Sequence, residues 1–290
     1  LKKKFFYFKD LDGHYIIQLL CLISIKIKHK PNFKYREATE YGLTTEKRNV
    51  KLIVSLTSFP QRIGSIHKTI NTILDQTVKP DEVILWLAEK QFPNKEMDLP
   101  KELLKLRDLG LTIDWCEDLR SYKKLIPTLR KYPNDIIVTA DDDVYYQEDW
   151  LESLYNSYLK DPQNIHTRRI CVISFDGNNF KVSPINNPDF SKNIPTGFLN
   201  QQVGCGGVLY PPNSLHKDIY NVDLIKSLIP THDDVYFWAM ATLNDTKVAL
   251  VKGYDTNVEC VENTQQFGLC KQNKSDSTTG IDGNTAFARV

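Results

Sequence analysis

Residues 136–146 read IIVTADDDVYY, and this stretch decides the fold class. Its first half is a short apolar run rich in β-branched residues, which predicts a buried strand. Three aspartates follow directly, so the strand is expected to end at Asp141. Ligands of parallel α/β sheets bind at the carboxyl ends of the strands, and the acidic cluster therefore marks that edge as a candidate site.

The segments on either side of this stretch alternate between two patterns. Apolar runs predict earlier strands at residues 51–57, 82–87 and 111–115. Helical patterns predict helices at residues 62–76, 99–109, 121–131 and 148–159. Such an alternation indicates an α/β fold, with a mostly parallel central sheet and helices on both faces.

The pattern changes after Lys160. Strands are predicted at residues 170–174 and 247–251, and a helix at residues 234–243. Between them lie a long polar loop, residues 175–202, and a glycine-rich, strand-like segment, residues 204–210. We expect three regions: an N-terminal segment with a linker (1–49), the main α/β domain (50–252), and a C-terminal extension that closes the candidate site (253–290).

Composition excludes several classes of protein. The chain has 290 residues, of which 41% are hydrophobic and 25% charged, as in soluble globular proteins. The net charge is +1, so nucleic acid is not an expected partner. Six cysteines show no CxxC or CxH spacing, which argues against a zinc site. Nothing demands disulfides, so we expect a reducing compartment, the cytoplasm.

The first 36 residues are strongly basic, with nine Lys and Arg against two Asp. They include an apolar run, residues 16–27, that is shorter than the roughly 20 residues needed to span a bilayer. A helical appendage is predicted here. Two interpretations stay open: an interfacial helix in peripheral contact with the inner face of the cell membrane, and an ordinary helix packed on the domain.

The three aspartates are the strongest chemical signal. Adjacent carboxylates repel one another, and a sheltered cluster is costly unless a cation neutralises it. Mn²⁺ and Mg²⁺ prefer carboxylate and phosphate oxygens. Asp141 and Asp143 are two residues apart and are expected to face the same side, where they could share an ion. The alternative is a solvated acidic turn that caps the next helix.

IIVTADDDVYY resembles the DXD element of GT-A glycosyltransferases. Residues 54–62, VSLTSFPQR, are similar to the donor-binding first strand and turn of bacterial members that build capsules and lipopolysaccharides. The resemblance covers residues 51–250. It implies a GT-A fold and sugar transfer from a nucleotide-sugar donor, with a UDP-sugar favoured, to a glycan or lipid-linked acceptor. It also implies a Mn²⁺ or Mg²⁺ cofactor.

The resemblance implies roles for individual residues on the donor side. Asp143 would coordinate the ion that bridges the donor diphosphate, and Asp141 would share that ion or hold the ribose. The other donor-binding residues it implies are Asp142, Thr57, Ser58, Phe59, Arg62, Lys123 and Lys124. For the two lysines, a solvated helix face is an equally good interpretation.

The resemblance also implies an acceptor side. Asp234 would be the general base of an inverting reaction, and Asp233 is the second candidate. Gly206 and Gly207 would line the acceptor, and Trp238 could stack on an acceptor sugar or pack in the core. No histidine follows His232, so a late histidine ligand to the metal is missing. Candidates to replace it are Asn263, Gln265, Asn273 and Lys274.

Two other functions compete with this interpretation. A sugar nucleotidyltransferase would usually have a glycine-rich, basic phosphate loop after the first strand, and VSLTSFPQR contains none. A nucleotide- or glycan-binding module with the same fold and no turnover stays open. The sequence leaves the sugar, the linkage and the oligomeric state undetermined.

Overall fold

The computed structural model describes most of the chain. The described residues are 6–9, 14–19, 23–28, 35–176, 179–185, 193–252 and 258–268. They fall into two compact units, residues 1–36 and residues 37–290. No helix among them is long and apolar enough to cross a membrane.

The first unit contains a three-stranded antiparallel sheet. Its strands are β1 (Phe6–Lys9), β2 (His14–Leu19) and β3 (Ile23–Lys28), in that order across the sheet. The predicted helical appendage is therefore wrong. The third strand reads ISIKIK, which alternates apolar and polar residues with the period of a strand, and its isoleucines are β-branched.

The second unit contains the remaining strands and the helices of the described residues. The strands are β4 (Leu52–Thr57), β5 (Glu82–Ala88), β6 (Leu111–Cys116), β7 (Ile136–Ala140), β8 (Val144–Tyr145), β9 (Ile165–Thr167), β10 (Ile170–Asp176), β11 (Asn179–Pro184), β12 (Asn200–Gln202), β13 (Val208–Tyr210), β14 (Val248–Leu250) and β15 (Glu259–Cys260). The helices are α1 (Ile66–Leu74), α2 (Lys101–Lys105), α3 (Ile126–Lys131), α4 (Trp150–Lys160), α5 (Val222–Leu228) and α6 (Asp233–Leu243).

Seven of these strands form the central sheet, in the order β14-β9-β13-β7-β4-β5-β6. β7, β4, β5 and β6 are parallel neighbours, β13 runs antiparallel between β7 and β9, and β14 is parallel to β9. The mostly parallel α/β sheet that the sequence predicts is confirmed. The register, which includes Thr57 with Trp86 and Ala88 with Cys116, brings the carboxyl ends of the parallel strands to one edge.

Strand β4 shows how the sheet is covered. Leu52, Val54 and Leu56 pack with Ile66 and Ile70 of α1 in one core cluster. The helix forms because its isoleucines recur at helical spacing, and this places their side chains on one face. Residues 53 and 55 of β4 face the opposite side of the sheet, because side chains alternate along a strand.

A buried polar triad fixes α3 to the opposite face of the sheet. The hydroxyl of Ser55 lies 2.6 Å from Oγ1 of Thr128, which also accepts a 2.7 Å hydrogen bond from Nε1 of Trp86. The predicted helix over residues 121–131 is interrupted, because a 3₁₀ turn (Arg120–Lys124) precedes α3. Pro127 lies in the first turn of α3, where its missing N–H costs no hydrogen bond.

The predicted long loop at residues 175–202 is wrong in part. β10 and β11 form an antiparallel hairpin, in which Ile173 pairs with Val182 and Phe175 with Phe180. β12 pairs with the other side of β10. The alternating apolar residues Phe180 and Val182 favour a strand, but they lie within a polar stretch that hides their period.

Candidate active site

The three aspartates lie at the carboxyl end of β7, in the turn that leads to β8. β8 pairs with β15, and the backbone N–H of Val261 donates a 2.8 Å hydrogen bond to the carbonyl oxygen of Asp143. Nε2 of Gln265 donates to Oδ2 of Asp143 at 2.8 Å. The segment 258–268 therefore holds the acidic turn, although it is more than 100 residues away in sequence.

Arg62 joins the second and third aspartates. Its Nη1 lies 2.6 Å from Oδ1 of Asp142, and its Nη2 lies 2.9 Å from Oδ2 of Asp143. The hydroxyl of Ser58 donates a 2.6 Å hydrogen bond to the other oxygen of Asp142. Burial raises the pKa of Asp142, although Arg62 and Ser58 oppose the shift. Burial also raises the pKa of Asp143 to about 6, against the attraction of Arg62.

Lys124 joins the first aspartate to the acids at the start of α6. Its ammonium Nζ lies 2.8 Å from Oδ1 of Asp141, 3.0 Å from Oδ2 of Asp233 and 3.7 Å from Oδ1 of Asp234. Burial by itself would lower the pKa of Lys124. The three carboxylates outweigh that effect, so its pKa lies well above the ordinary value.

Asp234 is held from a second direction by the glycine-rich turn. The backbone N–H of Gly204 donates a 2.8 Å hydrogen bond to Oδ2 of Asp234. Burial, Asp233 and Asp141 raise the pKa of Asp234 to about 7, and Lys124 opposes them. The side chain of Asp234 is 27% exposed, although its Oδ1 is enclosed.

The site has an excess of negative charge. Five carboxylates share the two basic side chains Lys124 and Arg62. Asp142 is used internally, whereas Asp141 and Asp143 keep 28% and 12% of their side chains exposed. Among the described residues no three His, Cys, Asp or Glu side chains are already grouped to hold a metal. The oxygen donors nevertheless fit a hard divalent cation whose shell is completed by phosphate and water.

The structure brings most of the predicted donor-side residues together and separates one. Oγ1 of Thr57 donates to the carbonyl oxygen of Trp86 at 2.7 Å, and the guanidinium of Arg62 lies 5.6 Å from the ring centre of Phe59. Lys123 lies apart from the cluster: its Nζ pairs with Asp118 at 3.0 Å.

The predicted acceptor-side glycines pack against other parts of the protein. A Cβ on Gly207 would lie 2.3 Å from Nε1 of Trp150, and one on Gly206 would lie 2.7 Å from Cβ of Arg169. Gly204 faces the acids instead, since a Cβ there would meet Nζ of Lys124 at 2.7 Å and Oδ1 of Asp234 at 2.9 Å.

Trp238 lies four residues after Asp234 on α6, so both side chains project from the same side of the helix. Its indole N–H donates a 2.7 Å hydrogen bond to the carbonyl oxygen of Phe198. Phe198 and Leu199 are 36% and 45% exposed, so this segment presents an exposed apolar surface.

Sequence reasoning missed two residues of the site. The hydroxyl of Tyr146 accepts a 2.8 Å hydrogen bond from the backbone N–H of Asp141, and Nη1 of Arg169 lies 3.7 Å from Sγ of Cys205. Tyr146 ends the stretch IIVTADDDVYY, but the motif assigns it no role, and Arg169 stands in no motif. Proximity in the folded chain is the only signal for both.

No protein-family model and no curated protein sequence matches the chain. Among solved structures, it is similar to a CMP:2-keto-3-deoxy-manno-octonic acid synthetase complexed with CTP, at 11% identity and a TM-score of 0.44, over 79% of this chain and all of that one. It is also similar to mannosyltransferase PcManGT from Pyrobaculum calidifontis with GDP-Man and Mn²⁺, at 15% identity and a TM-score of 0.46, over 83% of this chain and 63% of that one.

A third similar structure is TarS 1–349 from S. aureus, at 13% identity and a TM-score of 0.46, over 77% of this chain and 64% of that one. The chain thus spans under two thirds of the last two proteins. All three TM-scores are below 0.5.

Proposed function

We propose that this protein is an inverting, metal-dependent glycosyltransferase that moves a sugar from a nucleotide-sugar donor to a hydroxyl of a glycan or lipid-linked acceptor. One observation carries the proposal. The acids at the end of β7 suit a cation and a diphosphate. The ammonium of Lys124 pairs with one of these acids, Asp141, and also with the two acids at the start of α6. A donor site and a candidate general base are thereby neighbours.

Asp141 and Asp143 would hold Mn²⁺ or Mg²⁺ together with the donor diphosphate. When bound, the cation neutralises the charge that develops on the departing diphosphate. Arg62 holds Asp143 in position through an ion pair. Asp142 would not bind the cation or the donor, because its two oxygens already accept hydrogen bonds from Arg62 and Ser58. The excess of carboxylates makes a cation necessary, since an anionic donor would otherwise be repelled.

Asp234 would be the general base. Its pKa of about 7 suits a group that must accept a proton near neutral pH. It takes the proton of the acceptor hydroxyl, whose oxygen forms a bond to the anomeric carbon. The bond from that carbon to the diphosphate oxygen breaks on the opposite side. Nucleoside diphosphate leaves, and the configuration at the anomeric carbon inverts.

We extend the proposal to the substrates that the sequence resemblance implies. The donor is a UDP-sugar, and the acceptor belongs to a bacterial surface polysaccharide such as a capsule or lipopolysaccharide. Trp238, on the same side of α6 as Asp234, and the exposed Phe198 whose carbonyl it contacts support an acceptor that presents an apolar sugar face.

The test begins with binding. Calorimetry with UDP, GDP and CDP, each with and without Mn²⁺, should show tight binding of one nucleotide only when the metal is present. Asp143→Ala should abolish this binding, whereas Asp234→Asn should keep it and lose sugar transfer. The matched control is Asp245→Asn, which removes the charge of an exposed aspartate and suits its φ of 54°.

Two results would contradict the proposal. Binding without hydrolysis or transfer of any nucleotide sugar would support a binding module. A product with retained anomeric configuration, detected by NMR, would remove Asp234 from the role of base.

A further inference from the structure

Lys124 occupies a position that the proposed donor contacts do not explain. Its side chain is only 6% exposed, and its ammonium is surrounded by Asp141, Asp233 and Asp234. A donor diphosphate would have to displace carboxylates that already neutralise this ammonium. Direct donor binding, which the sequence implied for Lys124, is therefore a poor explanation of its geometry.

The surroundings of Lys124 come from four separate parts of the chain. Lys124 ends the 3₁₀ turn after β6, Asp141 follows β7, Gly204 begins the glycine-rich turn, and Asp233 and Asp234 begin α6. Gly204 lacks a Cβ where one would lie 2.7 Å from the ammonium and 3.2 Å from Oδ1 of Asp141. The ammonium is the only basic group with a described ion pair to both Asp141 and Asp234.

Asp234 faces this ammonium with one of its two oxygens. Its Oδ2 is fixed by the N–H of Gly204, while its enclosed Oδ1 makes no hydrogen bond within the described part of the chain and faces Lys124 at 3.7 Å. Without the ammonium, three carboxylates would repel one another across a sheltered space. The side chain of Asp234 would then be held by the N–H of Gly204 alone.

We propose that Lys124 is a positioning residue that orients the base Asp234 and fixes it relative to the donor-side Asp141, with Asp233 as its anchor. This inference rests on the proposed function, because it assigns Lys124 a role in that reaction. Asp233 is 6% exposed, and its Oδ2 lies 3.0 Å from the ammonium. Of the two acids at the start of α6, Asp233 therefore has the structural role and Asp234 the chemical one.

Steady-state kinetics separate positioning from donor binding. Lys124→Met should lower kcat by about 100-fold, since a misplaced base loses much of its effect, while KM for the donor and the affinity for Mn²⁺–nucleoside diphosphate change by less than about threefold. Asp233→Asn is a milder change that keeps the side chain's shape. It should also lower kcat and leave the donor KM nearly unchanged, but the loss of kcat should be smaller. Lys131→Met is the control, because Lys131 makes a similar 3.0 Å pair with Asp114 but lies exposed.

Thermal unfolding without metal or nucleotide gives a readout that is independent of activity. Lys124→Met and Asp233→Asn should each lower the unfolding midpoint. The double variant should lose less than the sum of the two, because both single changes remove the same ion pair between Lys124 and Asp233. Additive losses would show that the two residues are not coupled and would overturn the inference.

The kinetic outcomes also distinguish the two proposals. If Lys124→Met raises donor KM and leaves kcat unchanged, Lys124 contacts the donor and the positioning role is refuted, while the proposed function stands. If the wild type transfers no sugar from any nucleotide sugar, the proposed function fails. In that case, thermal unfolding of the two single variants and the double variant still shows whether Lys124 and Asp233 form the coupled pair.

Discussion

Replacing Asp234 with asparagine should make the protein more stable at alkaline pH and inactive at every pH. In the folded chain the pKa of Asp234 is raised from 3.8 to about 7, because the carboxylate is buried beside other acids. Between these two values the folded state keeps a proton that the unfolded state has lost. Stability of the wild type therefore falls as pH rises from about 4 to about 7.

Asparagine cannot ionise, so the variant escapes this loss. The shift corresponds to roughly 4 kcal/mol above pH 7 as an upper limit, and about 1.5 kcal/mol of it is already present at pH 5. The pKa of about 7 already includes the opposing attraction of Lys124, so that attraction is not subtracted again. We expect its advantage over wild type to grow by about 1–2 kcal/mol between pH 5 and pH 8, or about 3–6 °C in the unfolding midpoint.

The assay is thermal unfolding of both proteins at pH 5 and pH 8 without metal or nucleotide. Asp245→Asn is the control, because it removes the same charge from an exposed position and should give no pH-dependent difference. Transfer activity should fall by about 10²- to 10⁴-fold, the usual contribution of a general base. A stability difference that is equal at the two pH values would refute the raised pKa and with it the argument for Asp234.

Three further predictions follow from single contacts. Arg62→Met leaves Asp142 and Asp143 without their shared cation and should cost about 3–5 kcal/mol in urea unfolding, whereas Arg107→Met breaks an exposed pair with Glu96 and should cost under about 1 kcal/mol. Gly207→Ala should cost at least about 2 kcal/mol, because Gly207 has φ +80° and its new methyl would meet Trp150; Gly64→Ala, with open space around it, should be nearly neutral, and equal losses would contradict this packing. Thr128→Val removes the hydroxyl shared by Ser55 and Trp86 and should cost about 2–3 kcal/mol, so an unchanged urea midpoint would show that the triad is unimportant.

Local patterns predicted the part of the fold that carries the site. The runs that became β4, β5 and β7 are mostly apolar, as strands covered on both faces must be, whereas the edge strand β6 reads LTIDWC and is only partly buried. The isoleucines of α1 recur with helical spacing, and the three aspartates follow their strand directly. Where two patterns overlapped, prediction failed. The alternation of β3 was missed within a broader apolar stretch, and the hairpin of β10 and β11 within a polar one.

Local sequence patterns do not predict which distant residues form ion pairs or hydrogen bonds. Arg62 and Asp142 are 80 residues apart, and Gln265 and Asp143 are 122 apart, so no local period relates them. The sequence makes Lys123 and Lys124 equally good candidates for the site. They lie in a 3₁₀ turn, in which successive side chains point about 120° apart, so one meets Asp118 and the other meets Asp141.

The sequence by itself determined the parallel strands, the helix after the first of them and the position of three carboxylates at the edge of the sheet. These features depend on neighbours within a few residues, where hydrophobic burial and side-chain period act directly. Only the tertiary structure decided that Lys124 joins the two groups of acids and that Gly204, not Gly206 or Gly207, faces them. Such contacts depend on distances between elements that the chain brings together only when the whole sheet has formed.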